Sequence, residues 1–416
     1  MIPVITRLAP DPGPVTVPAL LAALTRPPGL APFAPEALAF LTALHRGLID
    51  APDARQLPEL QALAFWLRPA ALARLARDFQ AGLPAGTLAV PRGLVLHVPP
   101  ANVDTLFLYS WVPALLAGNH SVIRLSERGS GPAQRLLLAQ LGALLAAPEG
   151  AAVAAATAFV RYPRDDAVTA ALSQAADARM LWGGDATVTA LRALAPAPHA
   201  LDLAFPDRVS WAALAAESYL ARSPEQRQTV AEAFCNDLFW FDQQACASPR
   251  LVFWCGAAPV AAAAAADFYP RVATLATLRF PGPDPAARLD RLAAWHRAVL
   301  DLPVAAVDHH GDRLTVVRLT TLDPAHREAL TTAGTGILLE ARIPELACCL
   351  PVVTRRVQTL AHSGFAPETL TDFVRALNGR GIDRLVPLGQ ALAFATVWDG
   401  TDLVRALTRL VTIAMV

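Results

Sequence analysis

The chain has 416 residues, of which 54% are hydrophobic and 17% charged, so it can form two or three domains with large cores and is not disordered. The 35 basic and 35 acidic residues balance to a net charge of +0, without a Lys/Arg cluster, which argues against a nucleic-acid partner. Five cysteines without a Cys-x-x-Cys pair indicate neither a disulfide framework nor a metal site. Because we find no signal-peptide pattern and no apolar run of spanning length, we expect a cytoplasmic protein without a membrane span.

Residues 1–80 are predicted to form an N-terminal helical segment. The first 32 residues are rich in proline and are expected to be irregular. Apolar residues then recur with helical spacing over Pro35–Ile49 and Pro58–Phe79. We expect this segment to pack on the rest of the protein without carrying chemistry.

Residues 81–205 alternate between strand and helix patterns. Strands are predicted at Leu94–Val98, Ser121–Leu125 and Arg179–Trp182, and helices at Leu106–Ala117, Pro132–Leu145, Ala167–Ala175 and Thr187–Leu194. This βαβ alternation is typical of an open parallel sheet that binds ligands at its strand ends. Gly183 and Gly184 precede the last of these helices, where a glycine pair either admits a phosphate to the backbone N–H groups or simply forms a turn.

Residues 206–385 are predicted to form a second α/β domain, and 386–416 a C-terminal segment that packs back on the first. The patterns predict helices at Pro224–Cys235, Pro259–Asp267, Ala286–Leu300 and Pro367–Leu377, and strands at Leu251–Cys255, Leu314–Leu319, Gly336–Leu339 and Leu385–Leu388. A last strand at Leu392–Val397 and a final helix at Leu403–Leu410 are also expected.

Cys246 lies in the stretch Asp-Gln-Gln-Ala-Cys-Ala-Ser-Pro, directly before the apolar run Leu251–Cys255. This arrangement places the thiol on a turn that leads into a buried strand, where a rigid scaffold can present a nucleophile. Taken alone, Cys246 could equally be a small core residue. Cys235 and Cys255 lie in apolar runs and are expected to be buried and inert, as is the pair Cys348–Cys349.

The stretch around Cys246 resembles the nucleophile segment of the aldehyde dehydrogenase superfamily, and in its longer form that of the acyl-CoA reductase (LuxC-type) family. Further segments carry the resemblance, among them Trp182–Asp185, which is similar to the turn beside the cofactor pyrophosphate. Gly93–Asn102 is similar to the strand and loop that bring an Asn to the oxyanion hole, and Leu115–Glu127 is similar to the segment that holds the cofactor ribose, with Arg124 in place of the usual Lys. The resemblance implies an aldehyde dehydrogenase-like α/β fold with a Rossmann-type parallel-sheet cofactor domain and an α/β catalytic domain.

The resemblance also implies the site residues. Cys246 and Asn102 are the expected catalytic residues, and Arg124, Ser126, Glu127, Gly183 and Gly184 are expected to bind the cofactor. The Glu that activates water in aldehyde dehydrogenases has no counterpart in the matching stretch Leu203–Ser210, a departure that a reductase tolerates.

The resulting hypothesis is an NAD(P)H-dependent reductase that converts an acyl-CoA or acyl carrier protein thioester to an aldehyde through an acyl-Cys246 intermediate. NADPH is the expected cofactor because the Arg124 guanidinium suits a phosphate, while Glu127 leaves NADH open. An oxidative or acylating aldehyde dehydrogenase and a non-catalytic scaffold for a partner enzyme remain alternatives. A homo-oligomer and a partner acyl-transfer enzyme are both compatible with the hypothesis.

Overall fold

The computed structural model describes residues 3–25, 29–100, 103–126, 131–280, 282, 285–331, 334 and 336–414. The chain forms two compact units. The first unit comprises Met1–Pro206 together with Phe394–Val416, and the second comprises Asp207–Ala393.

The strands of residues 1–206 are β1 (Val4–Ala9), β2 (Gly13–Thr16), β3 (Thr87–Pro91), β4 (Leu94–Val98), β5 (His120–Leu125), β6 (Thr157–Arg161), β7 (Ala178–Trp182) and β8 (Leu201–Phe205). All but β3 form one sheet in the order β2-β1-β6-β5-β4-β7-β8. Strands β4 to β8 are parallel, whereas β1 is antiparallel to both β6 and β2. The prediction of an irregular N terminus is therefore wrong for Val4–Ala9 and Gly13–Thr16, which pair along the edge of a sheet whose other strands lie far along the chain, and for Val17–Thr25, which form a helix.

The helices of residues 1–206 are α1 (Val17–Thr25), α2 (Pro35–Asp50), α3 (Pro52–Arg55), α4 (Pro58–Trp66), α5 (Pro69–Ala81), α6 (Leu106–Leu116), α7 (Pro132–Ala146), α8 (Ala151–Ala155), α9 (Asp166–Ala175) and α10 (Asp185–Ala193), with a 3-10 turn at Pro148–Gly150. Helices α2, α4, α5 and α7 begin with proline in the first turn, where no backbone N–H is needed. Helix α6 has apolar residues on all of its sides, as expected for a helix that is buried from Phe107 to Leu116.

The strand order of the first unit places a crevice at one edge of its sheet. From β4 the chain moves through β5 to β6 on one side, and later through β7 to β8 on the other. The connections therefore diverge at the carboxyl ends of β4 and β7, the position where open α/β sheets bind ligands.

The second unit contains the strands β9 (Val209–Ala215), β10 (Pro249–Cys255), β11 (Val304–His310), β12 (Leu314–Leu319), β13 (Ile337–Ile343), β14 (Val357–Ser363) and β15 (Arg384–Pro387). They form a sheet in the order β11-β12-β13-β10-β9-β14-β15, parallel except for the edge strand β11. Strands β9 and β10 are buried on both faces: Trp211 and Phe253 pack into one core, Leu214 and Trp254 into another. Continuous apolar strands of this kind are typical of parallel sheets covered by helices.

The helices of the second unit are α11 (Ala216–Leu220), α12 (Pro224–Phe239), α13 (Ala258–Arg279), α14 (Pro285–Asp301) and α15 (Pro367–Leu377), with 3-10 helices at Pro324–His326, Ala329–Thr331 and Leu346–Val352. Helix α12 begins with a capping box. The Ser223 Oγ accepts from the N–H of Gln226, and the Gln226 side chain accepts from the N–H of Ser223. It continues past Cys235, where the sequence predicted its end, because Leu238 and Phe239 are also buried.

The chain returns to the first unit through β16 (Val397–Trp398), β17 (Thr401–Asp402), α16 (Leu403–Ala406) and β18 (Thr408–Thr412). Strand β18 pairs with β3 in antiparallel register from Thr408 opposite Pro91 to Thr412 opposite Thr87. The predicted strand at Leu392–Val397 is absent apart from its last residue, and the predicted helix at Leu403–Leu410 stops at Ala406, since pairing with β3 overrides the local helical pattern.

Among the described residues, no single helix combines the length and the apolar character needed to cross a membrane; α7 and the segment Pro148–Ala155 meet that test only when joined across a bend of 94°.

Candidate active site

Cys246 lies on an irregular loop between α12 and β10, as the sequence predicts. The helix ends at Phe239, and β10 begins at Pro249. Between them, Asp242 and Gln243 both have a positive φ, of 47° and 60°, which lets the chain reverse direction within a few residues. The Cys246 side chain is half-buried, so it is held by its surroundings and still reaches solvent.

Gln243 fixes this loop from inside the core. Its side-chain Nε2 donates to the carbonyl oxygens of Pro249 at 2.8 Å and Ile337 at 3.1 Å, and its Oε1 accepts from the N–H of Gly336 at 2.7 Å. The residue is 1% exposed. One amide thus ties the cysteine loop to the starts of β10 and β13, which gives a physical reason for a Gln three residues before Cys246.

Ser210 holds the loop from the neighbouring strand. Its Oγ donates a hydrogen bond of 2.8 Å to the carbonyl oxygen of Cys246 itself. Ser210 is buried at the start of β9, next to Pro249 in the sheet. The backbone of Cys246 is therefore anchored while its thiol stays accessible.

Arg250 is the nearest described cation in sequence to the thiol. Its Nη1 donates to the carbonyl oxygen of Thr331 at 3.3 Å. Burial lowers the pKa of the Arg250 guanidinium, while the favourable charge interaction with Cys246 raises it. Since that interaction is mutual, Arg250 favours the thiolate form of Cys246 over the thiol.

The other cysteines differ from Cys246 in exposure or in acidity. Burial raises the pKa of Cys235 and of Cys349 to about 12, and it raises that of Cys255 further still. Their thiols are therefore unreactive near neutral pH, as expected from the apolar runs. Cys348 is exposed, so the expectation that both residues of the Cys348–Cys349 pair belong to the core is wrong for Cys348.

The first unit contains a cavity of about 390 Å³ at the carboxyl edge of its parallel strands. Four of the predicted cofactor residues line it: Arg124, Ser126, Gly183 and Gly184. Residues 98–100 at the end of β4 contribute a further wall. The structure thus brings together segments that are about sixty residues apart in the chain, at the divergence of the strand connections.

One end of this cavity is the N terminus of α10. Gly183 has a φ of 153°, and a Cβ there would lie 3.3 Å from Cβ and Cγ2 of Thr187. Gly184 is the N-cap residue, and no side chain of the described residues caps the helix. The N terminus of α10 therefore faces the cavity with the sign of the helix dipole that favours an anion.

Arg124, at the end of β5, supplies a positive charge to the cavity. Its guanidinium carbon lies 4.9 Å from the centre of the Tyr162 ring, which holds the side chain in place. Its Nε is buried and has no hydrogen-bond partner within the described part of the chain. A buried donor without an acceptor carries an energetic cost that a bound anion would relieve.

Trp182 lines the cavity at the end of β7 and is fixed by a buried polar network. Its Nε1 donates to Ser110 Oγ at 3.0 Å, and Ser110 Oγ lies 2.8 Å from Nδ1 of His97. The other ring nitrogen of His97 lies 3.3 Å from Ser121 Oγ, and burial lowers the His97 pKa to about 3. His97 is therefore a neutral structural residue.

Two predicted site residues cannot be placed. Asn102, the expected oxyanion donor, and Glu127, an expected cofactor residue, lie outside the described residues. Asp202, which directly precedes the stretch Leu203–Ser210, accepts from Nε and Nη2 of Arg179 at 2.7 and 2.6 Å. Within the described ranges, no group of three or more His, Cys, Asp or Glu side chains could hold a metal ion.

Sequence reasoning missed several residues that the structure brings to these places. Ser210 and Gln243 act through hydrogen bonds across strands. Arg164 lines the cavity from the connection between β6 and α9, and Asp166 lines it from the first turn of α9. Arg164 carried a usable signal, since it follows the carboxyl end of a parallel strand, the edge at which ligands bind.

Comparison with known families agrees with the architecture. Residues 76–265 match the family model described as acyl-CoA reductase (LuxC). Over 172 residues the chain is 26% identical to a long-chain acyl-protein thioester reductase from Aliivibrio fischeri; the match covers 40% of this chain and 33% of that protein, so it spans about a third of the relative's length. These matches confirm the resemblance to the acyl-CoA reductase branch and relate the chain to oxidoreductases.

Solved structures with the same fold are aldehyde dehydrogenases. Aldehyde dehydrogenase 21 from Physcomitrella patens has a TM-score of 0.67 and 12% identity, covering 95% of this chain and 89% of its own. A benzaldehyde dehydrogenase from Corynebacterium glutamicum, described as NAD-dependent, has a TM-score of 0.61 and 14% identity, covering 95% and 87%. The predicted aldehyde dehydrogenase-like α/β fold is therefore confirmed.

Proposed function

We propose that this protein, whose residues 76–265 match the acyl-CoA reductase (LuxC) family, reduces an acyl thioester to an aldehyde through a covalent acyl-Cys246 intermediate. The observation that carries the proposal is the anchoring of Cys246: Gln243 and Ser210 fix its loop while the thiol remains half-exposed. A nucleophile must be held in place and remain open to its substrate.

In the first step, the Cys246 thiolate attacks the carbonyl carbon of the thioester. The backbone N–H of Cys246 and the side chain of Asn102 donate to the oxygen as it becomes negative; one such donor contributes roughly 3–4 kcal/mol. The bond to the departing thiol breaks, and the released thiolate of CoA or carrier protein takes up a proton. Cys246 is then acylated.

In the second step, the acyl group on Cys246 is reduced. The nicotinamide cofactor supplies a hydride to the acyl carbon when it is bound. The same oxyanion donors stabilise the resulting tetrahedral hemithioacetal oxyanion. That oxyanion collapses by breaking the bond to Sγ, which releases the aldehyde and restores the Cys246 thiolate.

The cavity of the first unit suits the adenosine diphosphate part of such a cofactor. The α10 N terminus offers N–H groups to the diphosphate, and the buried Nε of Arg124 lacks a described partner. Ala190, Leu191 and Leu194 provide apolar surface for the adenine base. Ser126 and Glu127 are proposed to bind the ribose, as in the resembling superfamily.

The proposal includes NADPH as the preferred cofactor. A guanidinium is a planar, permanently charged fork that binds phosphate better than a hydroxyl group. Glu127 would repel a 2′-phosphate and accept hydroxyl groups, so discrimination against NADH is expected to be modest.

Asp202 is one carboxylate that does not serve as a base for hydrolysis. Its carboxylate is engaged by the fully buried Arg179, so it is not available to deprotonate water. No Glu lies in the stretch Leu203–Ser210 where the superfamily carries its hydrolytic base. We also place the protein in the cytoplasm, because a free thiol nucleophile needs a reducing compartment.

The test is intact-protein mass spectrometry after mixing with acyl-CoA or with acyl carrier protein, first without and then with NADPH. We expect one acyl adduct on Cys246 without cofactor and its loss, with aldehyde release, when NADPH is added. Cys246→Ala should form no adduct, whereas Cys348→Ser, which removes the exposed thiol outside this loop, should behave as wild type.

Three results would contradict the proposal. An adduct that persists in Cys246→Ala would place the nucleophile elsewhere, and a protein that is never acylated would be a binding scaffold. An oxidative aldehyde dehydrogenase would release free acid from the adduct and would need NADP⁺, not NADPH, to turn over aldehydes.

A further inference from the structure

A second arginine faces the cavity that holds Arg124. Arg164 lies in the connection between β6 and α9, and both guanidinium-bearing residues line the same cavity. We infer that Arg164 is a specificity-determining residue that, together with Arg124, binds the 2′-phosphate of an NADP-type dinucleotide. The inference rests on the proposed cofactor-dependent function and adds a residue that neither the sequence patterns nor the resemblance had singled out.

The order of strands places the two arginines side by side. Along the carboxyl edge of the sheet the sequence of strands is β6, β5, β4 and β7, and neighbouring strands are about 4.8 Å apart. Arg164 follows β6 and Arg124 is on β5, so they occupy adjacent positions at one end of the cavity. Gly183 and Gly184 lie at the other end, two strands beyond β5, or about 10 Å away.

This spacing matches the layout of an adenosine dinucleotide. With its diphosphate at the α10 N terminus and its base against Leu191 and Leu194 on α10, the ribose would lie across the ends of β4 and β5. The 2′ substituent of that ribose would then face Arg124 and the loop after β6. Thr169 of α9 closes the cavity on the same side.

The charges of this end of the cavity favour a doubly negative group. Arg124 is held by the Tyr162 ring with a buried, unsatisfied Nε among the described residues, whereas Arg164 is exposed and can adjust. Two guanidinium groups match a phosphate monoester, which accepts several charge-assisted hydrogen bonds. A 2′-hydroxyl carries no charge and offers a single oxygen as acceptor.

One carboxylate opposes this attraction. Asp166 also lines the cavity, in the first turn of α9. The adjacent Asp165 is occupied as the helix cap, since its Oδ1 accepts from the N–H groups of Ala167 at 2.8 Å and Val168 at 3.1 Å. Removal of the Asp166 carboxylate should therefore strengthen the binding of a phosphate at this end of the cavity.

The experiment measures calorimetric affinity of the full-length protein for adenosine 2′,5′-bisphosphate and for adenosine 5′-monophosphate. These probes differ only in the 2′-phosphate and require no catalysis. We expect wild type to prefer the bisphosphate, and Arg164→Met to reduce that preference by about 10- to 100-fold, the effect of losing one charged hydrogen bond. Asp166→Asn should increase the preference, and Arg164→Lys should restore part of it.

Arg192→Met is the matched control. Arg192 carries an exposed guanidinium on α10, 3.8 Å from Asp202, and is not part of the cavity wall. Its loss should leave the preference unchanged, which separates direct phosphate binding from a general change in surface charge.

The outcomes separate this inference from the proposed function. Suppose that wild type binds both probes. If Arg164→Met then loses affinity for both probes equally, or for neither, the role of Arg164 is overturned and the cofactor site remains. Wild type that binds neither probe overturns both the cofactor part of the proposed function and this inference. Equal effects of Arg164→Met and Arg192→Met would also overturn it.

Discussion

The hydroxyl of Ser210 donates a hydrogen bond of 2.8 Å to the backbone carbonyl of Cys246, across from β9 to the loop that precedes β10. The bond links the proposed nucleophile to the centre of the second sheet, because Ser210 is paired with both Pro249 and Thr359. The hydrogen bond anchors the backbone of Cys246 through its carbonyl oxygen, and not through Sγ.

Ser210→Ala should slow acylation of Cys246 by about fivefold, because an anchoring hydrogen bond contributes roughly 1 kcal/mol and its loss lets the loop move from the reactive geometry. Single-turnover acylation followed by mass spectrometry measures the rate. Ser248→Ala is the control: the Ser248 Oγ is buried without a partner among the described residues, so its removal should change the rate little. Equal rates in wild type and Ser210→Ala would show that the anchor is not needed.

Gln243→Ala should destabilise the second unit by about 3 kcal/mol, because two carbonyl groups and one N–H lose their partner inside the core. Denaturant unfolding of the full chain measures the effect. Gln244→Ala removes the exposed neighbouring amide and should change stability by no more than about 0.5 kcal/mol. If both variants were equally stable, the hydrogen bonds of Gln243 would not hold the loop.

Arg250→Met should make Cys246 less reactive toward iodoacetamide at neutral pH. Loss of the nearby guanidinium removes a charge that favours the thiolate, so the midpoint of alkylation should move to higher pH. The measurement uses a Cys348→Ser background, since Cys348 is exposed as well. Arg375→Met, which removes a surface guanidinium paired with Asp372, should leave the midpoint unchanged. An unshifted midpoint in Arg250→Met would exclude the charge effect.

His97 should make the first unit lose stability in acid. Its pKa is lowered by burial to about 3, whereas the unfolded chain titrates near the ordinary value of 6.5. The unfolded state therefore binds the extra proton first, so stability is full above pH 6.5 and falls as the pH drops toward 3. Between pH 7.5 and 5 the loss is about 2 kcal/mol.

His97→Gln should lack this loss while keeping hydrogen bonds to Ser110 and Ser121. The test compares the pH dependence of unfolding for the two proteins. The comparison cancels other titrating groups, such as Asp237, whose pKa is raised by burial to about 7 and whose contribution has the opposite sign. Parallel pH profiles for wild type and His97→Gln would contradict the prediction.

The sequence by itself determined many of the regular elements and the position of the nucleophile loop. Periodic apolar residues are a local signal, so Pro367–Leu377 and Leu314–Leu319 were predicted at their observed bounds. The loop around Cys246 was predictable because its polar and small residues interrupt α12 and end at the apolar strand β10. The family resemblance supplied the fold, which the solved structures confirm.

The tertiary structure alone decided what lies together. Strand β1 joins β6 more than a hundred and fifty residues away, and β18 joins β3 across more than three hundred. Arg164 meets the cavity of Arg124 only because β5 and β6 are neighbours in the sheet. Such pairings depend on backbone hydrogen bonds and burial between distant segments, and these leave no periodic trace in either segment, so local patterns cannot reveal them.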